Sequence, residues 1–266
     1  MMIVAIRRLI PACCLAMLVA APLTATAEEG YGTISGQIVA TGSIPEADIL
    51  VKKDDPKIKD PAVCAAEAHI DNSLLIDESS KGIANVVIYL RSVDDVHPKY
   101  EEIPAAEKEV VFDQKNCVFM PHILSVRTGQ TVVVKSDDPV PHNTHTHPFK
   151  NKEENFTIRP NNREGVKVDY DESEFLPVKV NCDLHPHMTA YWVVLDHPYF
   201  AVTDKDGKFE IKDLPEGEYD FIVWHERVGY IDRKVPDVQD MLDVEVFSDE
   251  SEDLGKIEVP ADIFKK

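Results

Sequence analysis

Positive charge is scarce: 28 Lys and Arg stand against 48 Asp and Glu, a formal net charge of -20 over 266 residues. A chain this acidic is repelled by phosphate backbones and anionic lipid, which argues against nucleic-acid and electrostatic membrane binding and favours basic partners. Helical periodicity is nearly absent beyond the N-terminus, so a helical bundle is excluded. Apolar runs long enough to cross a membrane are also missing. The one candidate, Leu9 to Leu23, is short and broken by Pro11 and Pro22. Residues 1–27 contain no Asp or Glu; Arg7 and Arg8 precede the apolar run, and Ala25 and Ala27 follow it in A-x-A spacing. That order describes a signal peptide cleaved after Ala27. Lipid attachment at Cys13 is disfavoured by Pro11 and by the little apolar sequence ahead of it. The expected product is exported, periplasmic or extracellular, without a membrane span. Loss of two arginines takes its formal charge from -20 to -22.

Cysteine is the next scarce residue. Of five, Cys13 and Cys14 leave with the signal, so Cys64, Cys117 and Cys182 remain. In an oxidising compartment two should pair. We expect Cys64 to join Cys117, a closure that contributes about 4 kcal/mol in the chain-entropy model. Cys182 is then a free thiol in an exported protein, and that requires a reason.

Short Val-, Ile-, Tyr- and Phe-rich runs recur between Gly, Pro, Asn and Asp clusters, at Thr33–Ala40, Val86–Leu90, Glu109–Phe112, Ile123–Val126, Thr131–Lys135, Val178–Asn181, Tyr191–Leu195, Phe200–Thr203, Phe209–Ile211 and Tyr219–Trp224. They predict an all-β sandwich architecture. Pro61–His69 reads as a short helical turn, and the acidic stretch Asp237–Asp253 is left open between helix, strand and loop. Tyr31–Val39, Ala84–Leu90 and Ala201–Tyr219 together resemble the carboxypeptidase regulatory-like sandwich, a small Ig-like domain. Asp206-Gly207 supplies a hairpin turn in that pattern, and Leu214–Gly217 turns the next corner. About a hundred residues of different character interrupt it. The expected organisation is therefore residues 28–104 with 196–266 as one split sandwich, and 105–195 as a second domain inserted in or packed against it. One larger continuous sandwich is the alternative.

Within 105–195 the chemistry concentrates. Cys182-Asp-Leu-His185-Pro-His-Met188 lies between two predicted strands, and His142 stands 40 residues before Cys182 in Asp138-Pro-Val-Pro-His-Asn-Thr-His145. A copper ion that cycles between two oxidation states is suited by a soft thiolate, two imidazoles and a weak axial thioether. Cys182, His142, His185 and Met188 provide that set, with His142 arriving on a separate loop.

The pairing of Pro141–His145 with Cys182–Met188, preceded by Phe119-Met-Pro121, Val126–Gln130 and Val132–Asp137, resembles the cupredoxins, the type 1 blue copper family of amicyanin and plastocyanin. The resemblance covers residues 110–195. Ser136 stands where that family often has Asn. It implies a Greek-key sandwich with one type 1 copper on those four residues, Cys182 as the thiolate and Met188 as the axial ligand. It further implies His185 near the surface as the electron's exit, and Asn143 tying the ligand loops together. The implied function is outer-sphere transfer of single electrons. Four such donors leave no open position for a substrate, so no enzymatic activity is expected, and the acidity suits a redox partner such as a basic c-type cytochrome.

Copper storage or delivery is the alternative, weakened because Met1, Met2 and Met17 fall in the signal and leave no Met-rich tract. A non-redox surface sandwich that retains a metal loop is the other. His122, His145, His147 and His187 read as surface or supporting residues rather than a second metal site. Asp204-Lys-Asp206-Gly207 lacks the distal Glu of a calcium loop and reads as a turn, and Trp224-His225-Glu226 as packing plus solvated charge.

Overall fold

The structure, a computed structural model, describes residues 30–265. The predicted signal peptide lies outside the described residues. The chain is all-β, and its strands gather around two separate buried clusters.

One cluster is enclosed by the strands between 109 and 195. A five-stranded sheet runs in the order Asn155–Ile158, His142–His147, Val178–Asn181, Thr189–Leu195, Ile123–Arg127, the last pair parallel. Facing it is a four-stranded sheet in the order Val166–Asp169, Thr131–Val134, Glu109–Lys115, Val118–Met120. Alternation along the strands fills the space between them: Phe112, Leu124, Val126, Val132, Val134 and Trp192 all point into one core. The Trp192 ring meets Phe112 edge to face at 5.2 Å, a geometry favoured by the aromatic quadrupoles.

The second cluster draws on both ends of the chain. Tyr31–Thr41 lies between Lys208–Pro215, antiparallel, and Ser251–Pro260, parallel. A four-stranded sheet, Phe200–Val202, Val87–Tyr89, Ile222–His225 and Gly229–Tyr230, closes the other side. Segments separated by more than a hundred residues thus share one core, with Ile38, Ile88, Phe221 and Ile257 fully buried in it.

The two stacks meet through strands buried on both faces. In Thr189–Leu195, Ala190, Trp192 and Val194 face the first core, while Val193 and Leu195 face Val87, Tyr89 and Trp224 of the second stack. Val87–Tyr89 does the same in reverse, sending Ile88 into its own core.

Two local readings are corrected and one left open is resolved. The predicted run Tyr219–Trp224 is two strands, because the chain changes sheets at the buried Phe221: Gly217–Asp220 pairs with Asp243–Val246, and Ile222–His225 with Val87–Tyr89. The Asp206-Gly207 turn joins strands of different sheets and is not a hairpin. Gly207 takes φ +77°, and a Cβ on the neighbouring Gly82 would lie 1.9 Å from the Asp206 carbonyl oxygen, so both positions demand glycine. The acidic stretch resolves into a helix, Pro236–Met241, and the strands Asp243–Val246 and Ser251–Pro260.

Candidate metal centre

Cys182 follows directly on Val178–Asn181, and the chain returns at once: the Cys182 amide donates to the Met188 carbonyl (3.2 Å), and the Met188 amide to that of His185 (2.9 Å). Cys182, His185 and Met188, all within this closed loop, are buried. His142 is the first residue of His142–His147 rather than part of a loop. Its polar sequence carries little strand propensity, yet the segment is held between Asn155–Ile158 and Val178–Asn181.

The donor atoms converge. His142 Nδ1 lies 3.0 Å from His185 Nδ1, and Cys182 Sγ lies 3.7 Å from the same His185 atom. The outer nitrogens are tied back by carboxylates, His142 Nε2 donating to Asp138 (2.8 Å) and His185 Nε2 to Asp60 (3.1 Å). Both rings are thereby held with Nδ1 inward, where lone pairs and sulfur repel one another unless a proton or a cation lies between them. Donors about 2.1 to 2.3 Å from one ion stand about 3.4 to 3.6 Å apart. The observed separations lie close to that, and the donor set fits a copper ion.

Electrostatics agree with the geometry. Burial alone would raise the Cys182 thiol, but hydrogen bonding with His142, His185 and the Asn143 amide outweighs it and brings it down to about 6. Burial opposes charge on His142 too, yet Asp138 and Cys182 raise that ring to about 9. Asp138 is itself held low: burial is outweighed by His142 and by the amides of Cys117 and Asn116. Both shifts favour the charged forms of neighbouring donors, and metal binding to such a site displaces the protons they hold.

Asn143 joins the two ligand segments. Its Oδ1 accepts from the amides of Asp183 (2.7 Å) and Leu184 (3.3 Å), while its own amide donates to Cys182 Sγ (3.4 Å).

No family model matches the sequence, and no curated protein matches it. Among solved structures, an oxidized mutant of amicyanin is similar at 19% identity and TM-score 0.29, covering 34% of this chain and 85% of that one. A purple cupredoxin from Nitrosopumilus maritimus is similar at 18% identity and TM-score 0.27, covering 32% and 97%. A copper-containing nitrite reductase from Thermus scotoductus is similar at 18% and 0.27, covering 39% of this chain and 24% of that one.

One implied role is corrected. His185 does not present a ring edge to solvent: it is 1% exposed, because the segment around Asp60 covers it. Asp60 lies between the short strands Ile49–Val51 and His69–Ile70. It adopts φ 52°, a left-handed conformation that Asp tolerates, and turns the chain into the helix Pro61–Cys64, started by Pro61. The Cys64–Cys117 disulfide then pins that helix to the first stack, and Cys182 is left as the free cysteine, buried.

Asp60 and Asp138 were missed by the sequence reading. Asp138 had a signal, an acid four residues before His142 next to Pro139; Asp60 had none. Of the other histidines, His122 pairs with Glu226, whose side chain is shielded by the stack junction and not solvated as expected. His187 is half-buried beside His69, and desolvation lowers it to about 4. No helix among the described residues is long and apolar enough to cross a membrane.

Proposed function

We propose that the chain is an exported type 1 copper protein of the cupredoxin kind that carries single electrons, with the ion held by His142, Cys182, His185 and Met188. The observation that carries this reading is the pair of imidazole Nδ1 atoms facing each other and the Cys182 sulfur, with both Nε2 atoms restrained by carboxylates. Copper in such a set supplies a one-electron couple whose potential follows the axial ligand and the bonding around sulfur. Asp138 and Asp60 orient the rings, Asn143 holds strand and loop in register, and burial keeps water away from the thiolate. A donor set so fixed changes shape little between oxidation states, which favours outer-sphere transfer.

The four donors leave no position for a substrate, so the protein is a carrier and not an enzyme. Electrons pass through the hydrogen bond from His185 to Asp60, whose side chain is 31% exposed. The acidic surface suits a basic redox partner such as a c-type cytochrome. We assign residues 105–195 to the copper domain. The flanking segments, 28–104 and 196–266, form a carboxypeptidase regulatory-like sandwich that carries the covering segment.

Purified protein loaded with one equivalent of copper is expected to show an intense visible thiolate-to-copper band and a reversible one-electron wave. Cys182→Ser removes the band. A band that survives this change overturns the ligand assignment, and colourless binding of several Cu(I) ions identifies a storage protein instead.

A further inference from the structure

His145 and His147 point the same way from the strand His142–His147, as alternate residues must, with ring centroids 4.2 Å apart. Glu153 reaches the same place from the loop that follows; its Oε1 lies 2.6 Å from His145 Nε2. One donor atom from each of the three lies within 4.8 Å of the other two. We propose that His145, His147 and Glu153 form a second cation site, open to solvent, for one divalent transition ion of borderline softness such as Zn2+.

The surrounding bonds pre-set the donors. His145 Nδ1 donates to Asp183 Oδ2 at 3.1 Å, and His147 Nε2 to Asn181 Oδ1 at 2.5 Å. His147 thus has Nε2 engaged by an oxygen acceptor and Nδ1 turned to an ion, while His145 Nε2, bonded to Glu153 Oε1 in the absence of an ion, is released to one when that carboxylate itself becomes a ligand. Such an outer hydrogen bond fixes the tautomer and strengthens a ligating histidine. Asp183 is held in turn by Asn143 (2.9 Å), Asn155 (3.1 Å) and Asn181 (2.7 Å).

Lys152, the cation adjacent to Glu153 in sequence, pairs with Glu154 and leaves the Glu153 carboxylate to the histidines. In the absence of an ion a proton bridges His145 and Glu153. Two ligands of one zinc-sized ion sit about 3.4 Å apart, and Glu153, its side chain 64% exposed, is free to move out to that separation. Two nitrogen donors and one carboxylate select against Mg2+ and Ca2+, which require oxygen. The arrangement shares Asp183 and Asn143 with the surroundings of the buried centre but none of its proposed ligands.

The test uses Cys182→Ser protein, in which the buried centre has lost its thiolate, titrated with Zn2+ by calorimetry and by NMR of the histidine rings. One Zn2+ is expected to bind and to shift the His145 and His147 resonances, leaving those of His142 and His185 in place. Adding His147→Gln, an exposed change checked for folding by circular dichroism, weakens binding at least tenfold. The proposal is overturned if no Zn2+ binds, if the His142 and His185 resonances move instead, or if His147→Gln leaves affinity unchanged. Equal shifts with Mg2+ overturn the assignment to a transition ion.

Discussion

The Asp60 carboxylate accepts a hydrogen bond from His185 Nε2 at 3.1 Å across 125 residues of sequence. A carboxylate from a segment that is remote in sequence, and anchored to this stack's core through Cys64, therefore orients one of the proposed ligand imidazoles and shuts its outer edge from water.

Removing that carboxylate frees the ring without removing a ligand. Asp60→Ala is expected to lower copper affinity about 10- to 100-fold, the range seen when an outer partner of a metal ligand is lost, while the visible band persists. Competition against a chelator, followed at the band maximum, measures both.

The Cys64–Cys117 bridge holds the covering segment in place and spans 53 residues. Its loss through the double change Cys64→Ala with Cys117→Ala costs about 4 kcal/mol in the chain-entropy model. In protein lacking residues 1–27 and metal, denaturing alkylation without reductant is expected to label one thiol, Cys182. Prior reduction raises the count to three.

Glu174 is buried and accepts from the amides of Phe149 (2.9 Å), Lys150 (3.0 Å) and Asn151 (2.9 Å). Burial would raise its carboxyl, but these donors and the Asn151 side chain outweigh it and hold it below the usual range. A carboxyl depressed in the folded state contributes its full stability above its unfolded value of about 4.3 and loses it as pH falls through the folded value. Glu174→Gln is therefore expected to destabilise the protein by about 1 to 3 kcal/mol at neutral pH, with the difference shrinking in acid. Denaturant unfolding at pH 7 and pH 3 tests the sign.

Val193 and Leu195 pack on Val87, Tyr89 and Trp224 of the other stack. Burial on both faces couples the two cores, so calorimetry is expected to show one cooperative transition. Val193→Asp places an unpaired charge in that junction, which is costly without a partner. It is expected to split the transition in two and to lower the stability of the metal-free protein by several kcal/mol.

Much of this molecule was legible before its structure. Strands such as Val178–Asn181 carry their own alternation and propensity, and the spacing from Cys182 to Met188 lies within one loop, so neighbouring residues alone specify it. His142–His147 escaped notice because His, Asn and Thr in succession bury little apolar area; the two strands beside it make it a strand. The division at Phe221 was equally hidden, since it depends on which sheet each half finds.

The sequence by itself determined the all-β class, the donor types and their local spacing, because these follow from side-chain chemistry and short-range periodicity. Only the tertiary structure decided that Asp60 covers His185, that Asp138 restrains His142, and that Glu153 and Asp183 gather around His145. Those contacts join segments whose separation is set by sheet packing and a disulfide, and a one-dimensional pattern holds no record of which distant surfaces will exclude water together.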